Sequence, residues 1–419
     1  MVRFYHQEYQ SLSRNIKLFL WGHAFHGFGY SIYSLLFNLF LREKGVEESV
    51  IGQLASMTSL GTVMIAFPAA FFIERFYVKP LLNVGLFVMA CCYLMQIQCD
   101  SLTLFSLFGL LGSMGLALFN ISVSPFIFRN SDPSKRIMLY TINSTVVMAS
   151  HFFGFIIGGK LPSLIENYLQ VAKVDSFKYA MTIGLSFILL SILIFSKLIK
   201  RKIPYVKKSI FQDIKQKNWN MIAKLVAPKV ALALGAGMII PFMNIYLRER
   251  LNLKTEEIGE SYAILQLFIL IGIILTPKFV KRMSSLSFMI STFLLAIPFM
   301  ITMAFSSNLA IVLSSFFMRG MLMNMSSPIT SLFEMERMRE QECLFASAIL
   351  VFSYNLAWTI STQLGGLMIE KFSFQSTFIL AAVFYGISII CYFKFFHHEK
   401  KAVVSSLVTN IENDSKKVA

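Results

Sequence analysis

About twelve uninterrupted apolar runs divide this 419-residue chain, and each is roughly 17 to 25 residues long, the length a helix needs to cross a hydrocarbon core of about 30 Å. The first lies near residues 16–41 and the last near 378–393. A chain built this way folds as an all-α membrane protein. Its composition agrees: 56% of residues are hydrophobic and 14% charged, with a mean hydropathy of +0.65, against about 25% charged residues in a soluble domain. The first run follows a polar segment and has no small-residue cleavage site, so it is read as a retained helix rather than a signal peptide.

The runs fall into two sets because the chain is duplicated. FNLFLREKGVEESVIG at residues 37–52 returns as MNIYLRERLNLKTEEIG at 243–259. Asn38 aligns with Asn244, Leu41 with Leu247, Arg42 with Arg248 and Glu43 with Glu249 at one constant offset of about half the chain. Internal symmetry of this kind marks a transporter whose substrate site lies where two repeats meet near the bilayer midplane. The expected organisation is two pseudo-symmetric six-helix bundles, 1–205 and 221–400, joined by a cytosolic loop at 206–220 and followed by a disordered cytosolic tail at 401–419.

The net charge of +16 reports orientation, not nucleic-acid binding. Basic residues gather on alternate connections, around Arg14, Lys17, Arg75, Lys79, Arg129, Lys135 and Arg136, and above all in 197–224, whereas the connections at Asp100 and Asn308 have none. This alternation puts both termini in the cytosol. The five cysteines form no disulfide framework. GFIIGGK at 154–160 has the spacing of a phosphate-binding loop, but Leu161 replaces the hydroxyl that magnesium requires and the stretch lies within an apolar run. ATP is therefore not the expected energy source.

Several polar residues lie inside the runs, where each is costly. Arg319, about ten residues from either end of its run, is charged roughly 2.5 to 3.5 kcal/mol by insertion scales and marks a substrate pathway suited to an anionic group, with a structural pair to an internal acid or helix carbonyls as the alternative. The repeat-related Asn38 and Asn244, with Asn120 and Asn324 of the matching runs NISVSP and NMSSP, are further substrate contacts. Each of those two runs ends in proline, which predicts a locally opened helix facing a cavity, with a tolerated kink packed by Ser and Asn as the alternative. His23 and His26 are the proton-coupling candidates, since an imidazole in a membrane helix faces protein or a water-filled cavity, with the headgroup level as the alternative. Glu260 is the acidic alternative. The offset places Lys229 opposite His23, where its stem could snorkel to the cytosolic surface.

AFFIERFYVKP, from Ala70 to Pro80, resembles the loop signature of the major facilitator superfamily. Ala70 stands for the first glycine, Glu74 for the acid, Arg75 for the basic residue and Tyr77 for the second glycine. The resemblance implies twelve helices rocking by alternating access, and a cytosolic latch in which Glu74 and Arg75 act with Arg129. Gly154, Gly158 and Gly159 resemble the glycine motif of proton-driven exporters in that superfamily, with Phe155 where proline is usual. The function expected is secondary active export of a small organic molecule, driven by an ion gradient with the proton as the coupling ion. The expected setting is a monomer in the plasma membrane, with no cofactor and no metal. Uptake of an anionic metabolite is the alternative within transport, and a sensor or assembly factor without flux the alternative of another class. An enzyme is not expected, as no nucleophile and base pair or cofactor loop is present.

Overall fold

The computed structural model describes residues 12–75, 78–131, 136–199, 218–280, 282–338 and 343–397. Among the described residues, twelve helices correspond one for one to the apolar runs. The first six are α1 (Arg14–Glu43), α2 (Glu48–Arg75), α3 (Val78–Gln98), α4 (Leu102–Asn130), α5 (Arg136–Leu169) and α6 (Lys173–Ser196). The seventh is in two pieces, α7a (Trp219–Ile239) and α7b (Met243–Leu251). There follow α8 (Thr255–Val280), α9 (Ser285–Phe305), α10 (Leu309–Glu336), α11 (Cys343–Lys371) and α12 (Phe374–Phe396). Nine are long and apolar enough to cross a membrane among the described residues, and α1, α2 and α11, of 30, 28 and 29 residues, are also of spanning length.

Local chemistry sets several helix starts. Ser13, Asn218, Ser284 and Asn308 each accept a hydrogen bond from an amide three residues on, which satisfies a donor that the helix itself leaves unpaired. Outward-facing side chains stay apolar, as Ile274 at 67% and Ile390 at 64% exposure show. Lipid, not water, is the solvent such a surface suits.

Two compact units form: Met1–Lys208 with Phe242–Gln266, and Ser209–Pro241 with Leu267–Ala419. In the first, Phe19 stacks on Phe126 at 4.5 Å and on Phe195 at 5.7 Å between ring centroids. There α1 and α6 cross with Gly29 against the backbone of Gly184, so a Cβ on either would meet the other's carbonyl oxygen. The second is centred on Leu225, Met289, Phe293, Phe333, Tyr392 and Phe396.

The duplication survives as repeated contacts inside each unit. Ser191 of α6 donates to the Gly22 carbonyl at 2.7 Å, and Ser388 of α12 to the Pro228 carbonyl at 2.8 Å. Ser31 meets Gly154 in the first unit, and Gly237 meets Ser361 in the second, with serine and glycine exchanged.

The proline expectation needs correction. Helix α4 runs on through Pro125 and α10 through Pro328, so neither opens. The single missing N–H at each is tolerated inside a long, packed helix. The interruption falls instead in the seventh span, where a short 3-10 turn, Ile240–Phe242, carries Pro241 and separates α7a from α7b.

Candidate functional site

A cavity of about 390 Å³ lies within the second unit. Helix α7a contributes Lys229, Leu232 and Ala236, α9 contributes Phe293, α10 the stretch from Met323 to Ser331, α11 Val351, Tyr354 and Asn355, and α12 Tyr385 and Tyr392. One wall is apolar and the α10 wall is polar. That wall is the NMSSP run, whose Asn324, Ser326 and Ser327 reach the cavity although its helix stays closed.

The Lys229 ammonium donates to both carboxylate oxygens of Glu334, at 2.9 and 2.7 Å. Its side chain is 19% exposed and that of Glu334 7%. Lys229 therefore does not end at the surface: its partner is an acid 105 residues away that the sequence did not single out.

Arg319 is 4% exposed. Its guanidinium donates to the Tyr385 hydroxyl at 2.7 Å and lies 5.8 Å from that ring's centroid, which places it behind a cavity-lining residue. The four asparagines separate. Asn324 lines the cavity and donates its amide to the Gly320 carbonyl. Asn244 is buried in the first unit, donating to the Leu35 carbonyl at 3.0 Å. Asn38 is buried in α1, and Asn120 is exposed on α4.

The histidines are buried together in the first unit. His23 Nδ1 is 2.7 Å from the Asn143 side-chain oxygen, and its ring lies 5.8 Å from that of His26. His26 packs on Phe119 and Tyr30, and neither of its ring nitrogens has a hydrogen-bond partner among the described residues. His151, which the sequence reading passed over, packs against Gly27 beside them. Glu260 is half exposed and 3.6 Å from Lys160. The side chains of Glu74, Arg75 and Arg129 lie outside the described residues.

The duplicated motif closes on itself. Arg42 donates to Glu249 at 2.6 Å, and Arg248 donates to Glu43, so each arginine binds the glutamate of the other copy. Glu48 adds a contact to Arg42 at 3.1 Å and Lys173 one to Glu43 at 3.2 Å. Beside them Gly159 and Gly259 bring the backbones of α5 and α8 together, at two of the places where side chains would collide.

No curated protein matches the sequence. Solved structures do match in fold. A bacterial homologue of the human lysosomal transporter Spinster, inward-facing and unoccupied, is 13% identical with a TM-score of 0.72 over 90% of this chain and 95% of its own. A bacterial homologue of the iron transporter ferroportin, inward-facing, is 14% identical with a TM-score of 0.72 over 92% and 99%. A D-xylose-proton symporter is 12% identical with a TM-score of 0.70 over 90% and 96%. The family model for the Major Facilitator Superfamily matches residues 19–362 and, in an overlapping match, 233–409. With twelve helices among the described residues, internally repeated contacts and that match over most of its length, the chain belongs to the Major Facilitator Superfamily.

Proposed function

We propose that this secondary transporter exports a small organic molecule across the plasma membrane in exchange for protons running down their gradient, as a monomer with both termini cytosolic. The observation that carries the reading is the cavity of the second unit. It joins an apolar wall to a polar one inside a set of lipid-facing helices, and a charged pair lies at its side. Ligand sites share this construction of apolar lining with a few placed polar groups. Asn324 contacts substrate directly and Arg319 acts on it through Tyr385. Asn38, Asn244 and Asn120 serve the substrate path, and His23 and His26, with Glu260 as the acidic alternative, move the proton. Glu74, Arg75 and Arg129 latch the cytosolic side. The resemblance of Gly154, Gly158 and Gly159 to the exporter glycine motif favours export over uptake, and these glycines permit close helix approach.

Inside-out vesicles holding an acidic lumen, reported by a quenched acridine dye, test this with a panel of small organic anions, cations and neutral compounds. At least one compound is expected to discharge the gradient in vesicles with the protein and not in vesicles without it. A panel that never discharges it would leave a transporter-shaped protein without the proposed flux.

A further inference from the structure

We propose that the cavity of the second unit is an anion site: Lys229, with the Tyr385 and Tyr392 hydroxyls, binds the head of a small amphipathic monoanion, and Glu334 is the resting counter-ion of that lysine. This names the substrate class of the cavity and rests on the transport reading for the cavity's role. Two independent observations carry it.

The first is charge. Two cations adjoin the cavity, Lys229 at its wall and Arg319 behind Tyr385. Glu334 is the single carboxylate in ion-pair contact with either among the described residues. One positive charge is left over inside a set of apolar helices, where an uncompensated ion is expensive. A bound monoanion removes that cost. A purely structural role explains the pair poorly, because a buried ion pair is often no more stabilising than well-packed apolar residues of the same volume.

The second is the count of donors. On the polar wall, Ser326, Thr330 and Ser331 give their hydroxyl protons to the carbonyls of Met323, Ser326 and Ser327. Asn324 and Asn355 give amide protons to Gly320 and Val351. The three hydroxyl donors are spent on the helix that carries them, and each amide keeps one N–H. Tyr392 lines the cavity, and its hydroxyl is buried with no hydrogen-bond partner among the described residues. Tyr385 accepts from Arg319, so its own proton points elsewhere, and the adjacent guanidinium makes it a stronger donor. Lys229 has a third N–H beyond the two that meet Glu334. A cation and two phenols with protons to give match an oxyanion, while Leu232, Ala236, Phe293 and Val351 take an apolar body.

Three probes that share a phenyl ring test this: benzenesulfonate, benzyl alcohol and benzyltrimethylammonium, bound to the purified protein in lipid nanodiscs and followed by equilibrium dialysis. Benzenesulfonate is expected to bind best. Hydrogen bonds to charged groups are worth about 1.5 to 3 kcal/mol, so Lys229→Gln should weaken it by about tenfold or more. Glu334→Gln should tighten it by a similar factor, and both variants should change benzyl alcohol binding by much less than they change benzenesulfonate binding. Tyr392→Phe covers the case in which the charge variants fail to fold: it removes no internal hydrogen bond, so the melting temperature should hold while benzenesulfonate binding falls several-fold. Equal or better binding of the neutral or cationic probe, no saturable benzenesulfonate binding, or a Tyr392→Phe protein with unchanged benzenesulfonate affinity would each overturn the proposal. Flux of neutral compounds without this preference would overturn it while leaving transport standing. The preference without any flux would support the site and defeat the transport reading instead.

Discussion

Lys229 and His23 occupy matching places in the repeat, and their neighbours show what one residue can and cannot reveal. The depth of Arg319 was legible in the sequence, because a charge ten residues from either end of an apolar run has no short route to water, and it is 4% exposed. Its partner was not legible: Tyr385 is one of many aromatic residues in a later run, 66 positions away. Lys229 read as a snorkelling side chain because the acid that holds it, Glu334, lies two residues from the end of α10 and reads as an interfacial charge. Tyr385→Phe, which strips the buried guanidinium of its acceptor, is expected to cost about 1.5 to 3 kcal/mol of stability. Arg319→Lys should cost a comparable amount, and the double variant little more than the worse single one. Unfolding of the purified variants in lipid measures this, and additive losses would show that the two side chains act separately. For the histidines, replacing both His23 and His26 by Gln should flatten the pH dependence of transport. Retained dependence would move the proton to Glu260.

Among the elements, the repeated LRE motif of α1 and α7b was visible as sequence, but its pairing was not. Similarity shows that two segments have one ancestor and is silent on whether they touch. The structure joins them through Arg42 with Glu249 and Arg248 with Glu43. Proline was the opposite case: Pro125 and Pro328 suggested openings that the helices do not make, and the break came at Pro241. The paired motif gives a pH prediction. Burial pushes the Glu43 carboxyl up, and hydrogen bonds from Arg248 and Lys173 more than offset it, leaving its pKa below the ordinary value. A group lowered on folding stabilises the protein above its unfolded pKa, about 4.3 for a glutamate. That contribution is lost as pH falls through the lower folded value. The pairs are 19 to 31% exposed, which limits each to about 0.2 to 1 kcal/mol. Wild type should therefore melt above Glu43→Gln at pH 6 and converge with it toward pH 3. A gap that persists in acid would assign the effect to packing rather than charge.

For the whole molecule, apolar run length carried most of the fold, since lipid leaves the backbone few alternatives to the helix. The same run length says little about chemistry, because every helix of a transporter is apolar whatever it carries. The cavity is assembled from α7a, α9, α10, α11 and α12, which are distant in sequence, so only its α10 wall was legible. Uphill movement of benzenesulfonate in sealed proteoliposomes under an imposed pH gradient decides whether export is coupled to protons. The sulfonate stays ionised and does not cross lipid unaided. Proton-driven exchange predicts that it accumulates above the outside concentration when the lumen is acidic, does not when the lumen is alkaline, and fails to do so with Lys229→Gln. Accumulation only with an alkaline lumen would make the protein an uptake symporter, and equal distribution under both gradients would contradict coupling altogether.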